Sequence, residues 1–187
     1  MLFLAFNSDM KLYAIRHTKV DVESGICYGQ SDVDLAASFQ TEKAEVIKSV
    51  AGSTFDKVWS SPLQRCKKLA DEIFPDDQIV QDSRLMELDF GDWELKNWDE
   101  IYRTEEGKKW MDNYQHLPTL NGESYPEMKQ RVESFLIDLR RMEYKQVAVV
   151  THAGVIRLLK HFVEGVEIDK VFAEFNPAYG SVSIFEI

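Results

Sequence analysis

The 187-residue chain is 44% hydrophobic and 29% charged, the proportions of a globular protein with one well-developed core and no long disordered stretch. Its formal net charge of −10, from 32 acidic against 22 basic residues, argues against a nucleic-acid backbone or a membrane surface as partner; an anionic ligand would need a local cluster of Arg and His. Two cysteines, Cys27 and Cys66, are too few for a disulfide framework and are expected to be reduced, in a cytoplasmic protein.

The opening "MLFLAFNSDM" has six consecutive apolar residues, no basic leader, and far less than the roughly 20 residues that span a bilayer, so it is expected to be neither signal nor anchor. Met10 stands directly before the first strand, and residues 1–9 are expected to be an extension to a single domain over 1–187. Short runs rich in Val, Ile and aromatics predict buried strands at 12–15 ("LYAI"), 55–59 ("FDKVW"), 78–81 ("QIVQ") and 146–151 ("QVAVVT"). Between them, helices are predicted at 39–50, at 62–73 with Pro62 near its first turn, at 123–142 after the cap-type "NGES", and at 155–163. The last run, "GSVSIFEI" at 180–187, alternates and predicts an edge strand. Residues 89–121, dense in Trp, Tyr and charge, predict an insertion of short helices near the active site, forming a lid or substrate wall. Strands alternating with helices predict a three-layer α/β/α domain around a central, mostly parallel sheet.

In such a sheet, ligands collect beyond the carboxyl ends of the strands. Arg16 and His17 end the first strand, "SSPLQR" (60–65) carries Arg65 past the second, and "THAGVIR" (151–157) places His152 at a helix entrance. Two arginines and two histidines thus arrive at one rim. Planar guanidinium forks suit phosphate oxygens and together offset the two charges of a phosphomonoester. Their charge also keeps a neighbouring imidazole neutral and nucleophilic, the role expected of His17. A protonated His152 would stabilise charge on the equatorial oxygens in the transition state. The leaving alkoxide needs a proton, and "RLMELDFGDWE" (84–94) supplies Glu87, with Asp89, Asp92 and Glu94 as alternatives; a carboxyl beside a dianionic phosphate holds its proton more tightly and can act as general acid.

The ordered motifs "IRHT", "SSPLQR", "MELDFGDWE", "GES" and "THAGVIR" resemble those of the histidine phosphatase superfamily, with its phosphoglycerate-mutase-like fold, from Lys11 onward. Within that family, "HTKVDVESGICYGQSDVDL" (17–35) resembles the alpha-ribazole phosphatase branch of cobalamin assembly. The resemblance implies His17 as the phosphorylated nucleophile, Arg16, Arg65 and His152 as phosphate ligands, Glu87 as proton donor, and a small phosphorylated substrate handled without metal or cofactor. A homodimer is compatible with it. Sugar phosphates, glycerate phosphates and a mutase reaction are the alternative chemistries. The chain departs from the family at Thr18, where Gly is usual, at Glu23, where an Asn is usual, and at Leu95, where Gly follows "WE". The Thr18 hydroxyl, or a backbone N–H near Gly25 or Gly29, is the expected substitute for the missing Asn.

Two rival readings carry less. A metallohydrolase built on His17, His152 and nearby acids lacks any HxH, HExxH or paired-Cys spacing, and two arginines would repel its cation. A non-catalytic phosphate-binding module would need a cause of inactivity, since all five reactive positions are present. His116 and His161 are expected to be structural or solvent-facing, and Cys66 to be helix packing. Trp93, Trp98, Trp110 and Tyr114 are expected to form the insertion's own core, with stacking on a flat ligand group as the alternative.

Overall fold

The computed structural model describes residues 10–187; the expectation about residues 1–9 lies outside them. Five strands, β1 (Lys11–Arg16), β2 (Lys57–Ser60), β3 (Ile79–Gln81), β4 (Gln146–Thr151) and β5 (Val182–Glu186), form one sheet in the order β3-β2-β4-β1-β5. The first four run parallel, and β5 lies antiparallel on β1 at the edge, where its alternation had placed it.

Helices cover both faces because β1 and β4 are apolar on both. Leu12, Ala14, Val147 and Val149 pack with Trp59 into the core beneath α5 (Tyr125–Leu139) and α6 (Ala153–Glu164). Tyr13, Ile15, Ala148 and Val150 point the other way, with Val58, towards α1 (Phe39–Val50) and α2 (Gln64–Ile73). Each fully buried Leu, Ile or Val among them contributes about 1.5–3 kcal/mol relative to exposure. On β5, Phe185 is buried in the first core while Ile184 is exposed, as an edge strand with period two requires.

The helix boundaries differ from expectation where caps decide them. α5 starts at Tyr125 because Ser124 and Glu127 form a reciprocal capping box, with Pro126 in the first turn. α2 starts at Gln64 with Leu63 as N-cap, so Pro62 lies just outside the helix. α6 begins immediately after His152, earlier than its apolar stripe indicated. The 89–121 segment contains α3 (Trp98–Arg103) and α4 (Glu105–Asp112), capped by Asn97 and Thr104. A seventh helix, α7 (Ile168–Glu174), went unanticipated, since seven residues carry too little periodicity.

The strand register sets up the site. Arg16 pairs with Thr151, and Ser60 with Val150, so the next residues, His17, Ser61 and His152, leave the sheet along one edge. His17 is held there by its N–H to the Thr151 carbonyl, while its own carbonyl accepts from the Gly180 N–H.

Leu95, where the family has glycine, adopts a left-handed backbone with φ 63° and is 57% exposed, so its side chain recovers little by burial. A Cβ in that region costs about 1–2 kcal/mol. Leu95→Gly is expected to raise unfolding free energy by about 0.5–1 kcal/mol after the glycine's larger unfolded-state entropy is counted, measurable as an increased urea midpoint at unchanged slope.

Candidate active site

His17 is buried at the tip of β1, and its Nδ1 lies 2.7 Å from the Thr18 carbonyl oxygen. A carbonyl only accepts, so Nδ1 carries the proton and Nε2 keeps its lone pair. The His152 ring stands edge-on, 5.2 Å away between centroids, close enough for both imidazoles to reach one tetrahedral anion. His152 Nε2 meets the Ser61 hydroxyl at 2.8 Å, and the Cys66 thiol lies 3.5 Å from the same nitrogen. Burial pushes the Cys66 thiol up to about 12, so it stays protonated and packs as a small apolar group.

Arg16 and Arg65 flank the histidines. Arg16 donates to the Pro177 carbonyl and lies 3.8 Å over the Tyr179 ring; Arg65 donates to the Gly29 and Ser31 carbonyls and lies over Tyr28. The Nε of each is buried without a partner. Among the described residues, neither guanidinium has a carboxylate within 4.0 Å. Both residues line one cavity, and two guanidiniums there without a carboxylate partner among the described residues suit an anion.

Their charge acts on the histidines. Burial, then the Arg65 charge, with Arg16 adding, holds His17 well below its ordinary 6.5, against the Thr18 hydrogen bond that raises it. Burial, then Arg65, then His17 do the same to His152. Without a bound anion both rings are therefore neutral at pH 7.

Glu87 lies on the wall of the same cavity, which has a volume of about 350 Å³ and which Arg16, His17 and Arg65 also line. Its carboxylate accepts the N–H of Gly154, in the first turn of α6, at 3.1 Å, and that of Leu88. A Cβ at Gly154 would stand 2.2 Å from the carboxylate oxygen, so any larger residue there would push the Glu87 side chain aside. Arg131 of α5 fixes the backbone beneath, donating to the carbonyls of Arg84, Met86 and Glu87 while paired with Glu123.

Glu94, one of the alternative donors, is occupied otherwise. Its carboxylate accepts from the backbone N–H groups of Gly29, Gln30, Ser31 and Phe90. Burial opposes its charge, but those N–H groups outweigh it and hold the acid below its usual range. Glu94 thus pins the loop whose carbonyls hold Arg65, and Gly29 permits the approach, since a Cβ would collide with the Leu88 carbonyl at 1.8 Å. Asp89 accepts from the Gly91 N–H, and Asp92 from Asn121.

The substitutes expected for the family Asn fare differently. Glu23 is exposed, the Gly29 N–H is taken by Glu94, and the Thr18 hydroxyl is buried and unpaired but not on the cavity wall; Thr18 contributes the carbonyl that orients His17. Sequence reasoning missed Tyr28 and Tyr179, whose hydroxyls meet at 2.7 Å across the two arginines. It also missed Arg157, which lines the cavity one helical turn beyond Gly154. The available signal was their placement, in "CYGQ", in "PAYG" ahead of the last strand, and at the end of "THAGVIR". His161, as expected, is structural, its Nδ1 meeting the Val166 carbonyl at the end of α6.

The far side of the cavity is aromatic. Phe90, Trp98, Trp110 and Tyr114 come from the 89–121 segment, Tyr125 from α5 and Phe172 from α7. The 89–121 segment therefore contributes both to a local aromatic core and to the lining of the cavity. Among the described residues no cluster of three or more His, Cys, Asp or Glu could hold a metal ion, and no helix is long and apolar enough to cross a membrane.

Residues 12–187 match the histidine phosphatase superfamily (branch 1). The chain is 31% identical over 157 residues to the adenosylcobalamin/alpha-ribazole phosphatase of Escherichia coli K12, covering 80% of this chain and 77% of the relative. It is 26% identical to phosphoserine phosphatase 1 of Hydrogenobacter thermophilus, over 95% of this chain and 87% of the relative. The crystal structure of the alpha-ribazole phosphatase from Shigella flexneri superposes with a TM-score of 0.86 at 26% identity, over 94% of this chain and 89% of that one.

Two buried neutral histidines have a consequence for stability. Their folded pKa values lie below the unfolded 6.5, so the unfolded chain binds more protons once pH drops under that value. Their contribution is complete above 6.5 and is lost as pH falls. His17→Gln is expected to shrink the fall in thermal midpoint between roughly pH 7.5 and 5.5, a window above the carboxylate range, as followed by calorimetry.

Proposed function

The chain belongs to the histidine phosphatase superfamily (branch 1) and is a phosphoric monoester hydrolase of that type, and from this premise we propose that it works through a phosphohistidine on His17 with alpha-ribazole 5'-phosphate as substrate. The observation that carries the chemistry is the Nε2 of His17, left free by the Nδ1–Thr18 bond, beside two guanidiniums that have no carboxylate within 4.0 Å among the described residues.

The phosphate dianion binds against the Arg16 and Arg65 guanidiniums that line the cavity and neutralises their charge. His17 Nε2 attacks phosphorus in line with the ester oxygen; as that P–O bond breaks, Glu87 in its acid form gives a proton to the departing alkoxide. The Glu87 carboxylate then takes a proton from water, whose oxygen attacks the phosphohistidine and releases inorganic phosphate and neutral His17. The dianion also favours the protonated form of His152, opposing the arginines, so charge accumulates on that ring only when substrate is bound.

For the leaving alcohol, the support is the aromatic side chains that line the same cavity as the arginines, together with the likeness to the Escherichia coli enzyme. A reducing compartment, the cytoplasm, fits the two buried free thiols. A second reading, a small carboxylated ester such as phosphoserine, is favoured by Arg157, whose guanidinium donates to the Phe175 carbonyl and to Asn176 and has no carboxylate partner within 4.0 Å among the described residues.

His17→Ala is expected to abolish hydrolysis of p-nitrophenyl phosphate, while the unaltered enzyme works in the presence of chelator. Glu87→Gln is expected to slow alkyl esters by about 10²-fold or more and p-nitrophenyl phosphate by under about tenfold, because a good leaving group needs no proton. Equal slowing of both would remove Glu87 from the donor role. On substrate, kcat/KM for alpha-ribazole 5'-phosphate is expected to exceed that for phosphoserine, 3-phosphoglycerate and sugar phosphates by at least about tenfold. The reverse order, abolished by Arg157→Met, would establish the carboxylated ester instead.

A further inference from the structure

Arg16 and Arg65 are held by two segments from distant parts of the chain, neither of them strand or helix. Residues 28–31 hold Arg65, through the Gly29 and Ser31 carbonyls and through the Tyr28 ring, whose centroid lies 5.4 Å from the guanidinium carbon. Residues 177–180 hold Arg16, through the Pro177 carbonyl at 2.6 Å and the Tyr179 ring at 3.8 Å. The second segment also reaches His17, whose carbonyl accepts from the Gly180 N–H and whose ring lies 5.6 Å from that of Tyr179.

Among the described residues, one hydrogen bond joins the two segments. The Tyr28 and Tyr179 hydroxyls meet at 2.7 Å, across 151 positions of sequence. Segments without regular structure open more readily than strands and helices, and two guanidiniums lining one cavity repel each other until an anion arrives. A parting of the segments would carry the guanidiniums with it, because each segment supplies both the carbonyl and the ring that its arginine rests on. The rings stabilise each cation separately; the hydroxyls supply the link between them. Burial, and next the bond to Tyr179, push the Tyr28 hydroxyl above the usual phenol range, so it keeps its proton at neutral pH and the link persists.

We infer that Tyr28 and Tyr179 are positioning residues of the phosphate site, their hydroxyl pair fixing the spacing of the Arg16 and Arg65 guanidiniums before substrate arrives. The phosphoryl group of any ester then meets a preformed pair of cations, and less ordering has to be done on binding. The link therefore acts alike on every phosphate ester and on inorganic phosphate, whatever the alcohol. This assignment rests on the two arginines being the phosphate end of the phosphomonoesterase site.

Tyr28→Phe, Tyr179→Phe and the double variant keep both rings and remove only the link. Titration calorimetry with inorganic phosphate is expected to show each single variant binding about three- to tenfold more weakly than the unaltered protein, the range of one lost hydrogen bond. The double variant is expected to match the singles, because either change already breaks the shared bond. Expected alongside is an equal fall in kcat/KM for p-nitrophenyl phosphate and for alpha-ribazole 5'-phosphate. Unchanged phosphate affinity, with or without a lowered thermal midpoint, would reduce the pair to a contact of the fold and overturn the assignment. So would losses that multiply in the double variant, or a loss in Tyr28→Phe confined to the alpha-ribazole ester, which would place that hydroxyl on the leaving alcohol. The two levels separate cleanly: full turnover by His17→Ala removes the phosphohistidine reading, and absent turnover by the unaltered protein removes the phosphomonoesterase reading, whereas the phosphate titration tests the link without any turnover.

Discussion

Two guanidinium groups, Arg16 and Arg65, stand at the carboxyl edge of the sheet with no carboxylate among the described residues to balance them, and much of the local architecture serves to hold them there. Buried charge without a counter-ion is costly, by several kcal/mol per group. A carboxylate partner would remove that cost and also the site, because a paired arginine has no field left for phosphate. The chain uses neutral oxygen and π-density in place of it. Main-chain carbonyls of Pro177, Gly29 and Ser31 accept from the guanidiniums, and Tyr179 and Tyr28 lie face-on to them. Carbonyl dipoles and ring quadrupoles stabilise the cation without cancelling its charge.

That solution transfers the demand for precision to the loops. Arg65 can be no better placed than residues 29–31, which belong to no strand or helix. Glu94 supplies the missing rigidity through four backbone N–H bonds, and Gly29 lets the segments approach. Glu94 is therefore a positioning residue: its negative charge is used on backbone donors, away from the guanidinium it indirectly holds. Arg131 does the mirror-image work for Glu87, its cation spent on carbonyls of residues 84–87 and on Glu123.

This division explains what was legible in the sequence. His17, Arg65 and His152 stand at strand ends or first helical turns, and their convergence follows from short-range patterns plus the rule that ligands gather at carboxyl edges. Glu94 could not be placed that way. Its partners lie 63 to 65 residues away for Gly29, Gln30 and Ser31, so nothing local separates an anchoring carboxylate from a proton donor. Tyr28 and Tyr179 are 151 residues apart, and neither neighbourhood is periodic. The 89–121 segment was recognisable as an aromatic insertion, yet whether its rings face inward or towards ligand depends on α5 and α7, which close the cavity from elsewhere in the chain. Leu95 shows the opposite case: the sequence marks it as a departure, and its left-handed backbone gives the physical reason glycine is usual there.

The electrostatics of the whole chain and of the site point in opposite directions, and the contrast is functional. A net charge of −10 repels phosphate esters at long range, but that field is screened within about 8–10 Å at physiological ionic strength. Inside the cavity, screening by salt is weak and the two arginines dominate. In the proposed mechanism, burial together with the cations that would draw the dianion in keeps His17 neutral before it arrives, so the proposed nucleophile needs no base to deprotonate it. Once the dianion is bound, its charge offsets theirs and the histidines become easier to protonate. That change favours His152 as a cationic partner for the phosphoryl oxygens. For His17 it would be harmful, were its lone pair not already directed at phosphorus. The hydrogen bond from Nδ1 to the Thr18 carbonyl favours the charged ring and so does not remove that conflict; what it does is fix the proton on Nδ1 in the neutral form and leave Nε2 as the nitrogen that can bond to phosphorus.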